Sequence, residues 1–465
     1  MGKRGGALTL ALLGALLLLA GWRAAVRAAD ALPPGASAGP CTPWVQVNEG
    51  GFGLDSGDDR YGEEGFEIAV FDDQLYVGME ADNDLGARLW RTRRGVRVPQ
   101  SQADWEEVAA DAQGHPFGLE ATAQNDHIDS LAAFNGALYA STANRSGTVS
   151  GTLLYSSATG APQSWTQVIS PGFGDVNNVN FKDMVTFVVT ETPWLCGGTG
   201  NGATGAEVWC SPDGRHWEQK NEDGFGVASN TLAASTGVFS GALYVGVAGS
   251  SQGSVWRTSD LATWVQVLTT TERPRVEVVG LFSRTLYVAA GARDGRRAAD
   301  PTIQLYRSHT GDPESWEALD TRLVDDAHNT RTIVDGATTY NGALYLTTMN
   351  AQTGAEVWRT TDGASWTQVN ADGFGMTETF AAELIPFNGY LFAWASNYET
   401  GQQVRRTACP LQQQVSPTEG VRHALPGVGA VLTFTGGAPD VVTVSVYPGA
   451  YPLTQTETLS IARHY

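Results

Sequence analysis

The chain has 465 residues and a formal net charge of −20, because 49 Asp and Glu outnumber 29 Lys and Arg. Such an acidic surface repels phosphate groups and anionic headgroups, so neither nucleic acid nor a membrane surface is expected as a partner. With 55 glycines, 14 tryptophans and only 17% charged residues, the composition favours many short strands joined by tight turns over a helical bundle.

The first residues follow the order of an export signal. Two basic residues, Lys3 and Arg4, precede an apolar run that ends at Ala20, and small residues follow. This order predicts a signal peptide over residues 1–29 and a linker over residues 30–40. An uncleaved N-terminal anchor is the alternative, although the run is short for a bilayer span. In both cases the rest of the chain is predicted to be secreted or extracellular.

A repeated motif, aromatic-x-x-x-Leu-Tyr, divides residues 41–410 into similar segments. The leucines of the seven copies, one of them divergent, are Leu75, Leu138, Leu195, Leu243, Leu286, Leu344 and Leu391. In each copy strand A ends at the aromatic residue, strand B carries Leu-Tyr, strand C resembles Val-Trp-Arg and strand D opens with a tryptophan. An Asn-Gly turn joins strands A and B in the clearest copies. Seven units of four antiparallel strands predict an all-β, seven-bladed β-propeller.

The tryptophans of strand D predict how the propeller closes. Six of them fall inside the repeats, whereas the seventh, Trp44 in PWVQV, precedes the first repeat. The last repeat has no strand D of its own. We therefore expect the N-terminal strand to complete the seventh blade beside residues 403–407, which would remove two open sheet edges.

The four cysteines allow three pairings. Cys196 and Cys210 lie on neighbouring strands B and C, while Cys41 and Cys409 flank the predicted closure. The topology therefore predicts the disulfides Cys41–Cys409 and Cys196–Cys210, in keeping with an oxidising location. The alternative is four free buried thiols.

The turns between strands C and D read SPDGRHW, ending at Trp217, and TTDGASW, ending at Trp366. They resemble the Asp-box, or BNR, hairpin of sialidase-like β-propellers, with one residue fewer between the acid and the glycine. The resemblance covers residues 41–410 and implies architecture: in that family the acid caps a turn on the face away from the active site. It also implies that a sialidase would need an arginine triad, an acid and a Tyr–Glu pair. No matching set is present, so no catalytic residue is carried over.

Loops between strands D and A and between B and C share one side of a propeller, called here the D–A/B–C face, and binding residues are expected there. Strand A begins on this face with an acid four or five positions before its aromatic residue. These candidate ligand-binding residues are Glu67, Asp129, Asp183, Glu277, Asp335 and Glu383, with Ser235 in blade four. Positions four and five should point in different directions along a strand.

One hypothesis for these acids is a solvated channel mouth. The other is a site for a cation or sugar hydroxyls that uses Glu67, Asp183 and Glu383, which share a register. His115, His127 and His328 also fall in D–A loops, without metal-ligand spacing, and are interpreted as surface histidines.

These observations predict a non-catalytic, monomeric extracellular protein that binds a glycan, polymer or protein on the D–A/B–C face. No cofactor is expected, and a bound cation is left open. One alternative is a glycoside hydrolase or polysaccharide lyase that uses the channel-mouth acids; another is a structural or adhesion module without a small ligand. Residues 411–465, which include VLTFTGG and VVTVSVYPG, are predicted to form a short β-rich appendage with two strands.

Overall fold

The computed structural model describes residues 44–53, 65–80, 87–108, 117, 125, 127–145, 150–293, 302–320, 328–332 and 337–407, together with the backbone of short strands near both ends of the chain. Regular structure in these residues is β-strand, with only short 3-10 turns between strands. The all-β prediction is therefore confirmed. In this described part, no helix has the length and apolar character needed to cross a membrane.

Each repeat forms a unit of antiparallel strands in the order A, B, C and D, and a pairing of Gly200 with Leu232 joins units three and four into one sheet. The strands are Gly65–Phe71, Gln74–Met79, Arg88–Thr92 and Trp105–Glu107 in unit one; His127–Phe134, Ala137–Ala143, Leu154–Ser157 and Thr166–Gln167 in unit two; Asn178–Val189, Thr192–Asn201, Val208–Ser211 and Glu218–Gln219 in unit three; and Leu232–Phe239, Ala242–Ala248, Gly253–Thr258 and Val265–Thr269 in unit four.

The later units follow the same order. The strands are Arg275–Phe282, Thr285–Gly291, Gln304–Ser308 and Glu317–Leu319 in unit five; Arg331–Thr332 with Thr338–Tyr340, then Ala343–Met349, Glu356–Thr360 and Thr367–Gln368 in unit six; and Thr379–Phe387, Tyr390–Asn397, Gln403–Thr407 and Trp44–Gln46 in unit seven. The 3-10 turns are Gly50–Gly53, Gln102–Asp104, Pro171–Gly174, Asp223–Gly226 and Asp372–Gly375.

Short strands near the two chain ends pair with one another. They are Leu8–Leu12, Val26–Arg27, Gln412–Val415, Arg422–Leu425, Ala430–Thr435, Val442–Ser445 and Thr458–Ile461. The two predicted tail strands, Ala430–Thr435 and Val442–Ser445, are both present, but they belong to different sheets instead of pairing with each other.

Turn chemistry and leucine burial explain why each repeat folds as a unit. Asn135 and Gly136, between strands A and B of unit two, both have positive φ, at 47° and 78°, which is the conformation that favours Asn-Gly. The leucine of every strand B is at most 1% exposed. The repeat motif therefore marks the tight hairpin and the core position of each unit.

Successive units contact each other through their A strands, from unit one to unit seven, and strand A of unit seven contacts strand A of unit one. The N-terminal strand Trp44–Gln46 pairs with strand C of unit seven, with Trp44 opposite Thr407. The Trp44 indole packs edge-on against Phe374, at 5.3 Å between ring centroids. The strand pairing expected from the tryptophan pattern is therefore present.

The Cys196–Cys210 disulfide is formed, so the alternative of free thiols is wrong for this pair. The two residues are directly opposite on strands B and C. In units one, four, five and six the corresponding pair is a tyrosine and an arginine, as at Tyr76–Arg91. The disulfide thus replaces a noncovalent cross-strand pair at a fully buried position. Cys41 and Cys409 lie outside the described residues.

Replacing Cys196 and Cys210 together with serine is expected to lower the free energy of unfolding by about 3 kcal/mol, because the sequence separation of 14 residues closes a loop of that size in the unfolded chain. Denaturant titration of the oxidised proteins measures the loss. Treating the double variant with reductant serves as the control. Any further shift in its unfolding midpoint must then come from the other cysteines. An unchanged midpoint in the double variant would contradict a stabilising role.

The aspartates between strands C and D cap their turns. Asp213 Oδ1 accepts hydrogen bonds from the backbone N–H groups of Arg215 and His216, both at 2.8 Å, and Asp362 Oδ1 accepts from those of Ala364 and Ser365. The hydrogen bonds from His216 and Arg215 hold the pKa of Asp213 well below its usual range. Asp213 and Asp362 therefore stabilise the turns between strands C and D.

Phenylalanines in the D–A loops fill the space between strands C and D. Phe173 stacks on Trp209, with ring centroids 4.5 Å apart, and meets Trp217 edge-on. Phe225 makes the same pair of contacts in unit four. The D–A loops are therefore anchored to the sheets by aromatic packing, which gives the D–A/B–C face a rigid base.

Candidate functional site

The predicted acids are buried at the start of strand A. Glu67, Asp129, Asp183, Glu277 and Glu383 are each at most 7% exposed, whereas Asp335 lies outside the described residues. The hypothesis of a solvated channel mouth is therefore wrong for the five acids that are described. A buried carboxylate needs hydrogen-bond or charge partners, so those partners decide what each acid does.

An irregularity in strand pairing occurs beside the acid or its equivalent. In units one to five it lies between Gly65 and Glu67, Ile128 and Ser130, Lys182 and Val185, Ala233 and Ser235, and Val278 and Gly280. A β-bulge changes the direction in which the following side chains point. Alternation alone predicts that positions four and five before the aromatic residue face opposite ways. Because of the bulges this prediction is wrong: Glu67 at position four and Asp129 at position five both reach strand A of the next unit.

Three of the acids bond to strand A of the next unit. Glu67 Oε2 accepts from the Leu131 N–H at 3.1 Å, and Asp129 Oδ2 accepts from the Phe181 N–H at 3.1 Å. Asp183 accepts from the Thr236 N–H in the same way. In unit four the Ser235 hydroxyl takes this place, accepting from the Val278 N–H at 2.7 Å.

These bonds satisfy backbone donors at the free edge of each A strand, where no further strand is available. They also tie neighbouring units together. Glu67 and Asp183 therefore have a structural role. The sequence pattern could not distinguish this role from ligand binding.

Asp129 is the centre of a charged cluster shared by units two and three. Its carboxylate forms an ion pair with Lys182, lies 3.3 Å from His127 Nε2 and accepts from Asn180 Nδ2 at 2.8 Å. Burial alone would raise the pKa of Asp129, but the Lys182 ammonium and the His127 hydrogen bond outweigh it and hold the pKa well below the usual range. The carboxylate is therefore ionised at neutral pH.

Glu277 is the centre of a second cluster, shared by units five and six. Its Oε1 lies 2.7 Å from Arg275 Nε and 3.3 Å from Arg331 Nε. One buried carboxylate thus meets two guanidinium groups. Both clusters occur where strand A begins, on the D–A/B–C face.

The basic members of these clusters were missed from the sequence. His127 was interpreted as a surface histidine, but it is buried at 4% exposure. A signal was present: His127-x-Asp129 and Arg275-x-Glu277 both place a basic residue two positions before the acid, on the same side of a strand. Lys182 had no such signal, because its partner belongs to the preceding unit.

The cation hypothesis placed Glu67, Asp183 and Glu383 at one site. Among the described residues no group of three or more His, Cys, Asp or Glu side chains could hold a metal ion. Glu67 and Asp183 instead bond to different neighbouring units. Charged clusters that mix acids with bases are therefore the chemically distinctive feature of this face.

No family model matches the chain, and no curated protein sequence matches it either. Solved structures of similar fold include the polysaccharide lyase Uly1, at 10% identity and a TM-score of 0.43, covering 74% of this chain and 90% of that one. A PL25 ulvan lyase has 9% identity and a TM-score of 0.47, with 78% and 95% covered. An ancestral GH74 enzyme has 13% identity and a TM-score of 0.49, with 75% and 49% covered.

These comparisons correct the functional prediction. The structures of similar fold include polysaccharide lyases and glycoside hydrolases, so a non-catalytic binding protein is the wrong main prediction. The enzymatic alternative is therefore taken up as a proposal below.

Proposed function

We propose that this protein is a polysaccharide lyase that cleaves uronate-containing polymers by β-elimination on its D–A/B–C face. The observation that carries the proposal is the cluster in which one buried, ionised carboxylate, Asp129, holds both Lys182 and His127. Proton abstraction next to a carboxylate needs a base and a positive charge that stabilises the enolate-like transition state. A histidine and a lysine held together match these two needs.

His127, Lys182 and Asp129 would each have a separate role in the reaction. The His127 imidazole takes the proton on the carbon next to the uronate carboxylate. The electron pair released forms the new carbon–carbon double bond, and the glycosidic oxygen leaves with a proton supplied by Lys182. Asp129 would act as a positioning residue, since its carboxylate holds the His127 imidazole and the Lys182 ammonium beside each other.

Hydrolysis is less well supported by the same cluster. Glycoside hydrolases generally need one carboxylic acid that stays protonated to protonate the leaving group. The low pKa of Asp129 makes it unsuitable for that task, and Glu277 is held by two arginines. The basic side chains therefore favour elimination.

We also infer that the seven units form one closed seven-bladed propeller. The support is the contact between the A strands of units seven and one and the pairing of Trp44–Gln46 with Gln403–Thr407. Membership of the sialidase-like Asp-box propellers stays a prediction; the capping of turns by Asp213 and Asp362 agrees with it.

We further propose that the enzyme is exported, that it is monomeric and that its substrate is an extracellular polysaccharide. Export is supported by the basic, apolar and small-residue order of residues 1–29 and by the Cys196–Cys210 disulfide.

Replacing His127 with alanine is expected to lower the rate of polymer cleavage by roughly 100-fold or more, because it removes the base. The measurement is the ultraviolet absorbance of unsaturated uronate products, with reducing ends counted in parallel, on uronate-containing and neutral polysaccharides. His216→Ala is the matched control, since His216 is exposed on a C–D turn. Reducing ends without unsaturated products would indicate a hydrolase. Full activity of the His127 variant, or no cleavage of any polymer by the native protein, would contradict the proposal.

A further inference from the structure

Unit seven departs from the repeat at the start of strand C. In units three and six a tryptophan of strand C faces a glutamine of strand D and donates its indole N–H to a glutamate two positions earlier. These pairs are Trp209–Glu207, at 2.6 Å, and Trp358–Glu356, at 2.8 Å. Unit seven keeps the glutamine, Gln46, but has Arg405 and Gln403 in place of the tryptophan and the glutamate. It thus gains a cation and loses the acid that could neutralise it.

The Arg405 guanidinium occupies the place of the indole. Its Cζ lies 5.5 Å from the centroid of the Phe374 ring, and Phe173 of the equivalent loop stacks on Trp209. Arg405 Nε donates to Gln403 Oε1 at 2.8 Å. Because Gln403 is the first residue of strand C, next to the B–C loop, the guanidinium points towards the D–A/B–C face.

The charge of Arg405 is not neutralised by an acid in the described part of the chain. Its one polar contact there is with Gln403, and partial burial lowers the pKa of its guanidinium. The acids of the adjoining loops, all exposed to solvent, are Glu49, Asp372, Glu378 and Glu399, and none of them forms an ion pair with Arg405. The side chain remains partly exposed, so its Nη1 and Nη2 donors are available to a ligand.

We propose that Arg405 binds a carboxylate or sulfate group on the D–A/B–C face of unit seven. A guanidinium whose Nε is held by Gln403 still presents Nη1 and Nη2, and two parallel N–H donors match the oxygens of either group. Phe374 and Gln403 hold the guanidinium in place before binding, which lowers the entropy cost of ordering it. The oxyanion chemistry follows from these residues, whereas an acidic polysaccharide as the carrier of the group rests on the proposed function.

Binding is measured by affinity electrophoresis of the full chain in gels containing polygalacturonate, dextran sulfate or neutral dextran. We expect one or both acidic polymers to retard the native protein, and dextran not to retard it. Arg405→Trp restores the residue type of units three and six, and should weaken binding roughly tenfold, the effect of losing one charge-assisted contact. Arg405→Lys should retain part of the binding because it keeps the charge.

Gln403→Glu is the sharper test, because it leaves Arg405 in place. The new carboxylate pairs with the guanidinium and competes with the ligand, so binding should fall about as far as in Arg405→Trp. A role of Arg405 in packing alone predicts no loss in this variant. Arg215→Gln is the matched control, since Arg215 is exposed on a C–D turn and its replacement should leave binding unchanged. Thermal unfolding shows that each compared variant is folded.

Several outcomes would overturn the Arg405 site: no retardation of the native protein by either acidic polymer, equal retardation by dextran, full binding by Arg405→Trp or by Gln403→Glu, or an equal loss in the Arg215 variant. Retardation by one acidic polymer alone supports the site and identifies the acidic group. An acidic polymer that is bound through Arg405 but not cleaved would contradict the lyase proposal alone. Cleavage of a polymer that both variants bind as well as the native protein would contradict the site alone.

Discussion

Replacement of Asp129 with alanine is expected to lower the free energy of unfolding by about 3–5 kcal/mol, since it leaves a largely buried ammonium group without its counter-charge. Lys182 has a side chain only 16% exposed, and the Asp129 side chain is fully buried. The substitution also leaves the Phe181 N–H and the Asn180 amide without their acceptor. Denaturant unfolding of the two proteins measures the difference.

A second substitution separates the charge effect from a general loss of packing. Lys182→Met in the Asp129→Ala background should recover part of the stability, because the unpaired charge is then removed as well. If the single variant loses less than about 1 kcal/mol, the cluster is not the buried ion pair described here.

The stability difference between the native protein and Asp129→Ala should depend on pH. The pKa of Asp129 is lower in the folded protein than its ordinary value of 3.8, so the ion pair contributes its full stability above that value. The contribution falls as the pH drops below 3.8 and continues to fall as the pH approaches the folded-state pKa. The stability difference between native protein and Asp129→Ala should therefore shrink in acid, and a difference that grows in acid would have the wrong sign.

Most of the fold could be predicted from the sequence because its signals are local. The leucine of each strand B, the Asn135-Gly136 turn and the tryptophan of each strand D recur within a single repeat, and each decides a strand or a turn. Even the distant pairing of Trp44 with Thr407 had a local signal, since PWVQV resembles a strand D that the last repeat lacks.

The candidate site could be predicted only in part, because its partners come from different repeats. Asp129 was singled out, but its contacts with Asn180 and Lys182 span more than 50 positions of sequence. The bulge beside Asp129 also breaks the two-residue alternation from which facing directions are inferred. Burial is the other missing property: the pattern His127-x-Asp129 indicates a pair on one strand, but not that both side chains are buried.

A chain that begins at Asn48 is expected to lose at least about 4 kcal/mol of stability relative to a chain that begins at Cys41, and to aggregate. The shorter chain lacks the strand that pairs with Gln403–Thr407 and with it the partly buried Trp44; removal of a fully buried aromatic costs about 3–5 kcal/mol, and here a whole strand is lost as well. It also lacks Val47, whose carbonyl accepts from the Trp105 indole of unit one at 2.9 Å. Two units would thus be weakened, and strand C of unit seven would become an open edge.

Thermal unfolding and light scattering of the two chains measure this effect, and point variants keep the test informative if the shorter chain does not fold. Val45 is 38% exposed, so Val45→Ala should change the free energy of unfolding by no more than about 0.5 kcal/mol. Trp44→Ala removes the contact with Phe374 and should cost several times more. If the Trp44 and Val45 variants are equally stable, or if the shorter chain unfolds at the same temperature and stays monomeric, the N-terminal strand does not hold the first and last units together, and a closed propeller loses its main support.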